Sequence, residues 1–155
     1  MNNKGTVFEV SAGYCSISEV NGYCTIPDTL ATFNGSNGDT PYAGLLEDKY
    51  GNLFGATEFG GSGCDGIGCG TVFEVENTDD GYYARTLIDF AGADGYNPAG
   101  SLIADTNGDV FGTTTFGGTA GAGTVFEITD SGFGVTVPEP SPSGFGGGAE
   151  WASGM

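Results

Sequence analysis

Hydrophobic positions in this chain come in short clusters, never in long stripes. Val7, Phe8 and Val10 lie in Gly5-Thr6-Val7-Phe8-Glu9-Val10, a run rich in β-branched and aromatic residues that predicts a strand over 5–10. The apolar positions do not strictly alternate with polar ones, which favours a strand covered on both faces. Residues 11–28, with Gly13, Gly22 and Pro27, read as a long loop or hairpin, and 29–33 as the next strand. Turn chemistry follows over 34–44, because Gly supplies positive φ and Pro fixes φ near −65°. Further strands are predicted at 45–48 and 53–59, with a turn at 49–52. The order then recurs: strands at 70–75, 82–90, 101–104, 110–116 and 123–128, with turns at 78–81, 91–100 and 105–109. No apolar residues recur at i, i+3, i+4, i+7, and Gly is too dense for a helix interior.

The recurrence is literal. The first hexapeptide returns as Gly70-Thr71-Val72-Phe73-Glu74-Val75 and as Gly123-Thr124-Val125-Phe126-Glu127-Ile128. Between them, Thr29 to Gly61 aligns with Thr86 to Gly118 at a constant offset of 57, with 15 of 33 positions identical. The hexapeptides are 65 and then 53 residues apart, and the difference falls in two insertions. One insertion carries Cys15 and Cys24, the other Cys64 and Cys69. Four short antiparallel strands per period of about 50 residues is the pattern of a propeller blade. The fold class expected is therefore all-β, a propeller-like tandem repeat of four-stranded antiparallel blades. It is incomplete, at about two blades: the last two strands of one, a whole one, and three strands of another. Residues 1–128 form the repeat domain, and 129–155, rich in Gly, Ser and Pro, read as a flexible C-terminal tail.

Composition narrows the partners. The 155 residues include 31 Gly and 6 Pro, which alone borders on low complexity, yet 18 Phe and Tyr argue for a packed chain. Formal charge is −17, and the cations are Lys4, Lys49 and Arg85. Three scattered cations cannot neutralise phosphates, so neither nucleic acid nor an anionic membrane is expected as a partner. No apolar run approaches the ~18 residues of a membrane helix, so no membrane insertion is expected. An even number of cysteines paired by local spacing predicts disulfides and an oxidising compartment. Zinc is the rival, but the spacings do not match C-x-x-C and the chain has no His.

The candidate chemistry is sparse. Asp105, Asn107 and Asp109 place oxygen ligands at alternate positions, like the first half of a calcium loop. Val110 stands where that loop needs Gly, and Phe116 where it needs Glu. A hairpin turn is the expected reading and calcium the alternative; no other cofactor is implied. The loop 117–123 is Gly-rich but lacks the Lys and the following helix of a phosphate loop. Asp79-Asp80 are adjacent acids, not a pair across a cleft, and without His neither triad type assembles. The chain is read as a non-enzyme. Phe33, Phe54 and Phe59, with their repeats, read as blade core ahead of a sugar-stacking platform. Gly55 and Gly112 read as sites of close backbone approach or a bulge.

The motifs G-T-V-F-E-[VI], L-x-x-F-x-G-x-x-G-x-x-P and G-[ND]-[LV]-F-G-x-T-x-F-G-G resemble the Gloeo/Verruco tandem repeat over residues 5–128. That family is also called choice-of-anchor, GloVer-containing. The resemblance implies an exported bacterial repeat protein, extracellular or on the cell surface, joined to differing anchors. Val137-Pro138-Glu139-Pro140-Ser141 resembles the start of a PEP-CTERM sorting signal, but the hydrophobic helix and Arg-rich end of that signal do not follow. The sequence begins directly in a repeat, which suggests a fragment of a longer exported protein. The function expected is structural or adhesive, with a glycan-binding module, assisted by calcium, as the alternative. Self-association through open blade edges is expected, with surface glycans as further partners.

Non-reducing peptide mapping is expected to find Cys15–Cys24 and Cys64–Cys69, each loop contributing about 2–3 kcal/mol by chain entropy. Free thiols or crossed pairs would overturn this pairing.

Overall fold

The computed structural model describes residues 4–14, 23–66 and 68–136. Among them, nine strands form three antiparallel sheets. The first sheet pairs β1 (Thr6–Tyr14) with β2 (Tyr23–Thr32). The second runs in chain order through β3 (Leu46–Glu47), β4 (Leu53–Thr57), β5 (Thr71–Thr78) and β6 (Gly81–Asp89). The third contains β7 (Ile103–Ala104), β8 (Val110–Thr114) and β9 (Thr124–Ile128). The fold is thus all-β, with strands shared two, four and three among the sheets. No closed ring of sheets forms among the described residues. The strands of the first sheet run further than the hydrophobic clusters suggest, because residues 11–14 and 23–28 continue the pairing as a hairpin.

The hexapeptide strands pack through the contacts between neighbouring sheets. Val7 packs towards the second sheet with Ala31, Phe33 and the partly buried Leu30. From the second sheet, Phe73, Val75, Leu53 and Tyr82 meet them. The same arrangement recurs one period on. Val72, Phe90 and the partly buried Leu87 and Ile88 face the third sheet, which answers with Val110, Leu102, Phe126 and Ile128. In both contacts an aromatic at the end of one sheet meets the hexapeptide Phe of the next, edge to face. Phe33 and Phe73 have ring centroids 4.9 Å apart, and Phe90 and Phe126 5.2 Å. Edge-to-face pairs contribute about 0.5–1.5 kcal/mol beyond the burial itself. The expectation of a hexapeptide covered on both faces therefore holds for β5 alone, whose residues 71–75 are all buried. In β1 and β9 one face is open, because no further sheet lies beyond them among the described residues.

Hydroxyls reinforce the strand pairs at repeat-equivalent points. Thr57 Oγ1 lies 2.8 Å from Thr71 Oγ1, and Thr114 Oγ1 lies 2.8 Å from Thr124 Oγ1. Thr57 donates to the Phe59 carbonyl and Thr114 to the Phe116 carbonyl, both at 2.9 Å. The loop between the long glycine turn and β5 holds one 3-10 turn, Cys64–Gly66, and a Cys64–Cys69 disulfide with Cα atoms 5.4 Å apart. Cys69 is buried in the core between the second and third sheets. Cys15 lies outside the described residues, and with it the Cys15–Cys24 pair.

Gly55 and Gly112 have a role other than a bulge or a close backbone. Both sit in regular register, Gly55 opposite Phe73 and Gly112 opposite Phe126. A Cβ at Gly55 would lie 2.5 Å from Phe73 Cζ, and one at Gly112 would lie 2.3 Å from Phe126 Cζ. The glycine leaves a bare patch of strand that the tip of the ring occupies, a cross-strand pair in which the aromatic fills the place of the missing side chain. The ring then reaches the aromatic of the preceding sheet.

Gly112→Val is expected to destabilise the chain by about 1–3 kcal/mol through overpacking. In the Phe126→Ala background the same substitution should cost less, since the colliding ring is gone. Additive losses in a denaturant-unfolding double-mutant cycle would show that the two residues do not meet.

Candidate functional site

A cleft of about 570 Å³ lies between the two aspartate turns. Its walls include Glu47, Asp48, Lys49, Asp105 and Thr106, with Phe133 to Thr136 along one side. The two turns are equivalents, 57 residues apart, and both are built on a carboxylate that folds back on its own backbone. Asp48 Oδ1 accepts the N–H groups of Tyr50 and Asn52, both at 2.8 Å, and Oδ2 accepts Asn52 Nδ2 at 3.0 Å. Asp105 Oδ1 accepts from Asn107 N–H at 2.8 Å and Asp109 N–H at 3.0 Å, and Oδ2 accepts Asn107 Nδ2 at 3.0 Å. This is Asx-turn chemistry, the use of Asp that turns favour. Desolvation opposes the Asp105 charge, but the Asp109, Asn107 and Gly108 donors outweigh it and hold the carboxyl below its ordinary range.

The candidate calcium residues are thus placed in a hairpin turn. Asp105 spends its oxygens on the turn, and Asn107 supplies donors to it. Among the described residues no group of three or more His, Cys, Asp and Glu gathers around one point. Nor does any buried side-chain nitrogen or oxygen among them lack a hydrogen-bond partner.

The sugar-platform residues divide. Phe33, Phe54 and Phe90 are fully buried and belong to the core. Phe59 and Phe116 are partly exposed, each at the strand end where a bridge joins it to the preceding loop, Asp39 to Phe59 and Tyr96 to Phe116. Tyr96 stacks on Phe116 with centroids 5.1 Å apart. The cations are each engaged: Lys4 Nζ with Asp39 Oδ2 at 2.6 Å, Arg85 with the buried Glu74, and Lys49 over the Tyr50 ring at 4.8 Å. The hydrogen bond from Lys4 is the main reason the Asp39 carboxyl lies below its usual range.

One side of the cleft comes from residues that composition assigns to the tail. Ser131 is buried, and its hydroxyl donates to the Gly108 carbonyl at 2.9 Å. Phe133 packs on Phe54, centroids 5.3 Å apart. Gly134 donates its N–H to Asp48 Oδ2 at 2.9 Å, and its carbonyl accepts from Lys49 N–H at 3.1 Å. Residues 129–136 therefore fold against the repeats, while 137–155, with the PEP-CTERM-like motif, lie outside the described residues. The available signal is the aromatic following a turn glycine, Gly132-Phe133, which echoes Gly81-Tyr82 after the previous hexapeptide.

Residues 1–147 match the family described as Gloeobacter/Verrucomicrobia repeat. The chain belongs to this family. No curated protein and no solved structure matches it. The Gloeobacter/Verrucomicrobia repeat match runs past Ile128 and so takes in the segment that packs on Asp48 and Phe54.

Millimolar calcium is expected to leave the melting temperature unchanged. Asp105→Ala is expected to lower it equally with and without calcium, through loss of the turn hydrogen bonds. A rise of many degrees in calcium, abolished by Asp105→Ala, would establish an ion site there.

Proposed function

We propose that this chain is an exported module, extracellular or on the cell surface, with a structural or adhesive role. We further infer that its sheets are blades of a propeller-like array. One observation carries the reading: the same contact between sheets is built twice from equivalent residues, and the distinctive side chains of the repeat are spent on it. The aspartates of the turns, the threonine pairs and the paired cysteines are likewise used to hold the repeat. A scaffold needs such a sequence, whereas an enzyme needs reactive groups converging on a pocket. The disulfide suits an oxidising compartment, and the −17 charge suits a solvated outer surface.

A second reading, a glycan-binding module, is favoured by the stacked Tyr96 and Phe116, with Phe116 44% exposed. Exposed aromatic faces are where sugar rings stack. Fractionation of cells that make the protein should place it in the surface or secreted fraction, and recovery from the cytosol alone would defeat the exported reading. A glycan array run with and without calcium separates the two roles. Binding lost in Phe116→Ala would favour the glycan module, and a blank array the structural one.

A further inference from the structure

The two ends of the stack of sheets carry the two unmatched halves of the contact that is closed twice inside it. In the hexapeptide, Val faces the following sheet and Phe the preceding one. At the first sheet the preceding-side residues have no partner among the described residues. Phe8, equivalent to the buried Phe73, is 56% exposed, and Val10, equivalent to the buried Val75, is 54% exposed. Beside them runs a groove of about 510 Å³ lined by Thr6, Phe8, Val10, Pro27 and Thr29. At the third sheet the following-side residues stand open. Val125, equivalent to the buried Val72, is 79% exposed, and Ile103, equivalent to Leu46 of the inner contact, is 66% exposed. Neighbouring exposed apolar groups of this kind mark an interaction surface.

We propose that the open face of the third sheet, at Ile103 and Val125, docks on the open face of the first sheet, at Phe8 and Val10, of a second copy of the chain. The occupant is fixed by continuity with the internal contact. Between the second and third sheets, Leu46, Phe54 and Val72 lie against Phe126 and Ile128. Ile103, Phe111 and Val125 present the corresponding residues of the third sheet, and Phe8 and Val10 the corresponding residues of the first. Each face is thus complementary to the other and not to itself. The association is head-to-tail and runs on from copy to copy unless its rotation closes a ring. It uses faces, not the edges on which the sequence reading places self-association. The third sheet lacks, among the described residues, a strand equivalent to β2 and β6 with the aromatic of Phe33 and Phe90. The contact between copies is therefore weaker than the internal one and calls for tens of micromolar protein. Copies of charge −17 repel each other, so the association strengthens as salt screens that repulsion.

The test is sedimentation velocity of the oxidised 155-residue chain at tens of micromolar, at low and high salt. The wild type should sediment as a concentration-dependent series larger than a monomer. Phe8→Asp and Val125→Asp each bring an unpaired charge into the contact, and each alone should weaken association on the order of a hundredfold. Both positions are solvent-exposed, so the variants should keep the wild-type circular dichroism and melting temperature. Val10→Asp and Ile103→Asp serve as a second pair should either fail to fold. The decisive sample is the equimolar mixture of Phe8→Asp with Val125→Asp, in which each variant keeps one intact and complementary end. It should form a dimer and nothing larger. A monomeric wild type, as when another part of the chain covers either face, would overturn the proposal. So would a mixture that stays monomeric, or association that survives in the single variants and so runs through strand edges.

Discussion

A phenyl ring lying on a bare glycine is the constraint from which the architecture follows. Phe73 can lean across β4 only because Gly55 offers no Cβ, and Phe126 lies in the same way on Gly112. In that position each ring occupies the space over the glycine of its own sheet and still makes a T-shaped contact with Phe33 or Phe90 of the preceding one. One residue thus joins two strands within a sheet and two sheets to each other. Because the pair is repeated, each sheet receives its predecessor through the same aromatic contact. The threonine pairs Thr57–Thr71 and Thr114–Thr124 fix the same strands against sliding, since a hydroxyl pair at 2.8 Å specifies a single register.

The repeated hexapeptide and the block at offset 57 were enough to reveal the strand order, the division into two, four and three strands, and the all-β class. They did not reveal which face of each strand points where. A strand buried on both sides carries apolar residues at successive positions, so Val72 and Phe73 look alike in sequence while packing on opposite neighbours. The purpose of Gly55 was hidden for a related reason: it depends on the residue opposite, and register is a property of two strands. The aspartate turns were legible only as an ambiguity. Alternate oxygens suit both a cation and an Asx turn, and the turn shows itself only in the hydrogen bonds that Asp105 accepts from its own loop. The segment at 131–135 was obscured by composition, because Gly and Ser dominate it and a single Phe133 carries the packing.

The charge balance has its own logic. With 3 cations against 20 acids, each positive group is a scarce resource. Arg85 is paired with Glu74, an acid buried in the middle of β5. An acid so enclosed is costly unless a partner compensates it. In a single copy of the chain, its equivalents Glu9 and Glu127 lie on the open strands β1 and β9, where water does the same work.

The hydrogen bond from Gly134 to Asp48 joins residues 86 apart in sequence. The strand pairs within each sheet close far shorter loops. Closing the longer one carries the larger entropic penalty, and contacts of that range form late. On a ribosome the turn at Asp48 emerges with one of its four acceptor interactions unmade, and it stays so until Gly134 has been synthesised. Phe133, arriving with Gly134, covers Phe54 at the same moment. A segment 86 residues downstream thus completes the turn at Asp48, so the final setting of that hairpin waits on a distant part of the chain.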